Sequence, residues 1–204
     1  MSVNHNVRFR PTRPEDLDFV MAQEVHDENS AYIRHWSREK HLTAIYDPNF
    51  AHFIVETIQD EQPVGFVILI GVQEPDGNLE FKRIAISEKG NGYGREAVRL
   101  IKKFAFEETR THRLWLEVVE NNDRAFKLYE SEGFVTEGTH RESAVMGGQR
   151  VSLIAMSMLR REYMYIGVSE AIAERLAEKP DMPFSTSVLI MADPLRCTAL
   201  HLPR

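Results

Sequence analysis

The sequence predicts an α/β fold of the α+β kind, a mixed and mostly antiparallel sheet with helices on both faces, plus a C-terminal extension. Three observations carry this. Three strand-period segments follow one another with tight turns between them, from His52 to Ser87. A glycine cluster then separates the last of them from a helix-period segment. A second strand–helix pair follows, and two more strands close the pattern. The order reads β-α-α-β-β-β-α-β-α-β-β.

Val7 to Arg10 is a short first strand. Thr12-Arg13-Pro14-Glu15 spells a capping box, with threonine at the N-cap and proline in the first turn. Leu17, Val20, Met21 and Val25 put an apolar stripe on the helix it opens. Residues 27–50 are mixed and aromatic-rich and predict one or two short helices. His52 to Gln59, Val64 to Val72 and Leu79 to Ser87 are strands, with turns at Asp60–Pro63 and Glu74–Asn78. Ala97, Val98, Ile101, Phe104 and Ala105 fit a core-facing helix. Arg113 to Val119 is a buried strand, and a helix from Asn122 is stopped at Gly133. Phe134 to Glu137 and Val151 to Leu159 are the last strands, with a turn at Met146–Gln149.

The chain has 204 residues, 43% hydrophobic, enough for one domain with a real core. A single cysteine, Cys197, excludes an internal disulfide framework and a thiolate metal site and points to a reducing, cytoplasmic setting. The opening MSVNHNVRFRP lacks the apolar core of a signal peptide, and the apolar run Phe66 to Val72 is too short to span a membrane. A net charge of −6 with interspersed signs argues against nucleic acid as a partner and tilts towards a cationic substrate. His26, His35 and His41 lack the spacing of a metal site and read as surface or substrate-contact residues. Trp36 and Tyr32 lie in the same region, with core packing the commoner fate of such rings.

The centre of the sequence is Glu88 to Ala97, EKGNGYGREA. A strand, a glycine turn and a helix start aim backbone N–H groups and the positive end of a helix dipole at one point. Glycine permits φ > 0 and a close approach of bare backbone, so the turn reads as a pocket for a phosphorylated cofactor. Gly92-x-Gly94-x-x-Ala97 also fits a dinucleotide fingerprint, with Glu117 near the place of a ribose-binding acid. The preceding antiparallel meander counts against that alternative.

LWLEVVENNDRAFKLYESEGF, together with the glycine turn, resembles the GNAT N-acetyltransferase superfamily over roughly residues 6–159. The more specific motif is Asn122-x-x-Ala125-x-x-Leu128-Tyr129, then Gly133-Phe134. The resemblance implies acetyl-CoA as co-substrate, no metal, and the amides from Gly90 through Asn91, Gly92, Tyr93 and Gly94 to Arg95 around its pyrophosphate. Lys89 stands where the family has arginine or glutamine. Ile84, Ala85 and Ile86 would pair with the pantetheine arm, and Asn122 would cap its helix or bond a pantetheine amide. Tyr129 matches the family's acid, and the base is Glu117, as in ribosomal-protein alanine N-acetyltransferases, or Glu80, as in histone acetyltransferases.

The expected activity is direct transfer of acetyl from acetyl-CoA to a primary amine: a polyamine, a protein N-terminus or another small amine. Segment order and the acidic, Trp-containing 24–46 region resemble the RimJ/RimL-like and spermidine-acetyltransferase-like branches. A non-catalytic acyl-CoA sensor is the alternative, and a nicotinamide-dependent oxidoreductase a remoter one. Residues 1–160 form the expected GNAT domain. Residues 161–204 are an extension, read as without a role or as a homodimer-forming or substrate-covering element; within it Gly167 to Lys179 has helix period and residues 185–192 strand character.

Overall fold

The computed structural model describes residues 6–166. The sequence-based helix at 167–179 and strand at 185–192 therefore lie outside the described residues. The compact unit that carries the sheet ends at Tyr163.

The chain opens with β1 (Val7–Pro11), a 3-10 turn (Pro14–Asp16), α1 (Leu17–Val25), α2 (Asp27–Ser30) and α3 (Arg38–Tyr46). The meander β2 (Phe50–Thr57), β3 (Pro63–Ile70) and β4 (Asn78–Ile86) follows. Then come α4 (Tyr93–Lys103) with a π-helical last turn (Phe104–Glu108), β5 (Arg113–Val119), α5 (Asp123–Ser131), β6 (Val135–Met146) and β7 (Gln149–Leu159). Among the described residues these strands make one seven-stranded sheet in the order β1-β2-β3-β4-β5-β7-β6. Every neighbouring pair is antiparallel except β4 and β5.

Successive strand residues face opposite sides, and β2 shows what each side covers. Ile54 packs with Leu17, Val20, Trp36 and Ala44 from the α1–α3 segment. Phe53 points the other way and its ring meets Phe104, at the end of α4, at 5.2 Å. Helices thus lie on both faces.

Two expectations are corrected. Thr12 is not the N-cap: the Arg13 N–H donates to the Asp16 carboxylate at 2.7 Å, one residue later than the spelled box. The Thr12 hydroxyl is buried instead against His52 Nδ1 at 2.9 Å. The strand expected to end at Glu137 runs to Met146, with register breaks at Thr136/Gly138 and His140/Ala144. Such bulges interrupt alternation, and most of β6 is exposed and polar, so no strand period marks it.

The feature that makes the site is the β4–β5 pair. Their parallel ladder covers only Asn78↔Arg113, Leu79↔Leu114 and Glu80↔Trp115. Beyond Glu80, β4 stays paired with β3 as far as Ile86, and β5 stays paired with β7 as far as Val119. The two strands part like a V while their outer neighbours hold them in the sheet. A bulge at the same place leaves Lys82 without a partner, because Leu69 faces Phe81 and Ile68 faces Arg83. The extra residue reverses the alternation, so Phe81 and Arg83 enter opposite faces.

Candidate active site

At the open end of the V, β4 runs into the glycine turn. Gly90 (φ 97°) and Gly92 (φ 82°) are left-handed, and Gly92 is the N-cap of α4. A Cβ at either would meet nothing within 4 Å. Glycine is required there by conformation and leaves an open cradle. Gly94 differs: it has no positive φ, and a Cβ would make ordinary contact with Ile86 and Leu128 at 3.9 Å. Its bareness keeps a cavity wall clear. The amides of Arg95 and Glu96 donate to the Gly92 carbonyl, so those before them face the cradle without an intrahelical acceptor. With the α4 dipole behind it, this cradle fits a pyrophosphate.

A cavity of about 740 Å³ extends from the cradle between β4 and α5, past Ile84, Ile86 and Asn122 to Tyr129. A second, of about 330 Å³, opens among Glu80, Arg83, Glu117, Ser143 and Leu153. Tyr32, Ile33, Ile84, Asn122, Ala125 and Tyr129 line both. The two cavities therefore share a wall.

Asn122 caps α5, its Oδ1 accepting from the Ala125 N–H at 3.2 Å. Tyr129 lies two turns along the same helix, buried, with its ring edge-on to Phe81 at 5.6 Å and Phe134 at 5.9 Å. Burial raises its phenol above the ordinary range, so the proton stays on the oxygen at neutral pH. Glu80 sits at the crotch of the V with Lys82 at 2.9 Å. Glu117 stands two residues beyond the last ladder pair on β5, and its Oε1 lies 3.0 Å from His140 Nδ1. Both carboxylates line the second cavity.

The remaining expected residues are also placed. Ala85 is buried and faces the α1–α3 core, away from the cofactor cavity that Ile84 and Ile86 line. Asn91 donates to the Glu88 carboxylate at 3.0 Å. Lys89 lines the first cavity but is engaged by Glu28, at 2.7 Å.

His41, expected at the surface or on substrate, is fully buried next to His52. His26 is exposed and accepts from the Glu28 N–H at 3.4 Å, and the His35 side chain is half exposed. Trp36 is core, packed against His41 and Phe50. Sequence reasoning missed Arg83, Arg34, Ser143, Ala144 and Met146, which line the second cavity. The bulge brings Arg83 there and the long β6 brings Ser143, Ala144 and Met146, and neither leaves a mark in the residue pattern. Among the described residues no group of three or more His, Cys, Asp or Glu is placed to hold a metal ion, and no helix is long and apolar enough to cross a membrane.

A family model described as an acetyltransferase (GNAT) domain matches residues 6–135. The chain belongs to the GNAT acetyltransferase family. This acetyltransferase is similar to the spermidine N(1)-acetyltransferase of Escherichia coli (strain K12), 28% identical over 171 residues, 78% of this chain and 89% of that protein. The Vibrio cholerae spermidine N(1)-acetyltransferase is 30% identical over 121 residues, 59% of this chain and 69% of that protein. Among solved structures, the Vibrio cholerae spermidine N-acetyltransferase in complex with CoA and spermine aligns with a TM-score of 0.71 at 26% identity, covering 79% of this chain and 99% of that one. The enzyme is an N-acetyltransferase that takes acetyl-CoA as co-substrate. Neither the sensor nor the nicotinamide alternative finds support in these relatives, and the glycine turn follows β4, the last strand of an antiparallel meander, not the first of a parallel unit.

Proposed function

We propose that this enzyme acetylates a primary amine of a polyamine, with the cofactor in the larger cavity and the acceptor in the smaller one. The observation that carries the reading is the meeting of the two cavities at Tyr129, with Glu80 and Glu117 lining the smaller one. The named relatives act on spermidine, and beside the bases Arg34, Lys82 and Arg83 the smaller cavity offers an ammonium chain two carboxylates, Glu80 and Glu117.

Acetyl-CoA supplies an acetyl group activated as a thioester. The acceptor nitrogen bonds to the acetyl carbon as the carbon–sulfur bond breaks, so one proton must leave the nitrogen and one must reach the sulfur. Tyr129 holds the second proton: it is buried and protonated and lines both cavities. Glu117 takes the first, directly or through water, and the exposed His140 beside it offers a path to solvent. Glu80 takes the cationic remainder of the acceptor, whose ammonium displaces Lys82 from that carboxylate. The cradle from Gly90 to Gly94 holds the pyrophosphate, the Arg95 amide being engaged by the Gly92 carbonyl, with Ile84 and Ile86 along the pantetheine arm and Asn122 at its amide. A reducing, cytoplasmic location suits a chain with one cysteine. Residues 1–160 remain our proposed catalytic domain.

The test is thiol release from acetyl-CoA with spermidine, spermine, an alanine-starting peptide and a serine-starting peptide. Turnover is expected on the polyamines. Tyr129→Phe should lower kcat by about 10²-fold or more. Glu117→Gln should act mainly on kcat and Glu80→Gln mainly on the KM for the amine. Turnover on the peptides alone would reject the polyamine reading, and full activity of Tyr129→Phe would reject the acid.

A further inference from the structure

Beneath the acceptor cavity lies a cluster of buried polar groups to which acetyl transfer itself gives no task. Thr12, just after β1, and Glu24, His41, His52 and Arg83, from α1, α3, β2 and β4, are each more than nine-tenths buried. Polar groups so far from water must satisfy one another.

Arg83 has only donors. Its Nη1 donates to Glu24 Oε1 and its Nη2 to the Arg34 carbonyl. The carboxylate is neutralised by that guanidinium, and a further buried cation beside the pair would stand unmatched. A neutral His41 ring offers a single N–H. Its Nε2 lies 3.2 Å from Glu24 Oε1, off the ideal hydrogen-bond line but with no other partner. A bare nitrogen there would set acceptor against acceptor, so Nε2 carries the proton and Nδ1 accepts. His52 Nε2, 3.1 Å from that Nδ1, must then donate. His52 Nδ1 is left to accept the Thr12 hydroxyl at 2.9 Å. One orientation satisfies every link: Thr12 to His52, His52 to His41, His41 to Glu24. Burial pushes His52 down to about 3, which keeps its ring neutral.

The chain ends on the wall of the acceptor cavity. Residues 33–37 are irregular, between α2 and α3, and Tyr32, Ile33 and Arg34 line that cavity. Three contacts hold this stretch: Glu24 Oε2 accepts the Trp36 N–H at 3.0 Å, Arg83 holds the Arg34 carbonyl, and the Arg83 guanidinium lies 4.8 Å from the Trp36 ring centroid.

We propose that Thr12, His52, His41 and Glu24 form one directional hydrogen-bond chain that fixes Arg83, and through it the wall at residues 32–34, for binding of the acceptor amine. All five are positioning residues. The inference rests on the acceptor occupying the second cavity.

Two-bond proton–nitrogen NMR correlations on the labelled wild-type protein report which ring nitrogen carries each proton. Nε2–H is expected for both His41 and His52; an Nδ1–H on either ring, or a doubly protonated His41, overturns the chain. In kinetics, Thr12→Val keeps the shape and removes the first donor. It should raise the KM for the amine by about fivefold or more, with kcat and the KM for acetyl-CoA within about twofold of wild type, while Thr12→Ser restores the wild-type value. An unchanged amine KM in Thr12→Val, an equal rise in both KM values, or a Thr12→Ser as impaired as Thr12→Val overturns the positioning role. If the wild type turns over no amine, the acetylation reading fails, and the NMR result still judges the chain on its own.

Discussion

Lys89 shows how a residue's neighbours decide what it contributes. Its position in the glycine motif invites a phosphate contact, yet its ammonium is held by Glu28 from α2, whose carboxyl it draws below the ordinary range. An ammonium already paired adds little charge to the cradle, and the backbone amides do not depend on it. Lys89→Ala should therefore change the calorimetric Kd for CoA by less than about threefold, a loss of roughly 0.6 kcal/mol at most. Asn122 and Tyr129 were legible because their helix carries a motif whose spacing leaves few alternatives. His41 was not. A histidine among charged residues, on a helix with little apolar stripe, reads as surface, and only its distant neighbours His52 and Glu24 explain its burial. Glu117 and Glu80 were legible as candidates, but their unequal neighbours, His140 and Lys82, come from tertiary structure and local side-chain geometry.

Two glycines of neighbouring elements separate conformation from space. Gly92 needs its left-handed backbone but has open room around it, whereas Gly65 on β3 has ordinary φ and no room. Its Cβ would stand 2.3 Å from the Ala85 carbonyl and 2.7 Å from Ile86 Cδ1, so β3 and β4 would have to separate. Gly65→Ala should cost about 1–3 kcal/mol by overpacking, and Gly92→Ala about 1–2 kcal/mol by backbone strain. Thermal denaturation should show both losses; only Gly92→Ala adds a side chain at the cradle, so CoA titration should show the larger affinity loss there. The strands of the meander could be read from sequence because alternation and turn residues agree. The bulge at Lys82 could not, since nothing in LEFKRIAI says which residue is left unmatched. That one residue sends Phe81 to Tyr129 and Arg83 to Glu24.

For the whole molecule, buried titratable groups set the response to acid. His52 binds a proton near pH 6.5 when unfolded but only near pH 3 when folded. Between those values the unfolded state holds more protons, so stability falls as pH falls, by up to about 1.4 kcal/mol per pH unit. Glu24, Glu56 and Glu132 add a second stage. Burial opposes their ionisation, but His41 and Arg83, Arg10 and Arg8, and Lys102 and Arg95 respectively hold them below the ordinary value of 4.5. Their contribution is present above that value and is lost as pH falls through the folded ones. Melting temperatures should drop gradually below about pH 6.5 and more steeply below about pH 4.5, and His52→Gln should flatten the first stage. The fold class itself was legible because strand order, glycine turn and helix motif agree at every level.

The wall common to the two cavities has a further consequence. Tyr32, Ile33, Ile84, Asn122, Ala125 and Tyr129 cannot shift towards one ligand without moving for the other. Affinity for the nucleotide and affinity for the amine are then a single linked quantity: whatever factor one gains from the other's presence is returned unchanged. Where each ligand tightens the other's hold, the departure of either product must loosen the grip on the one left behind.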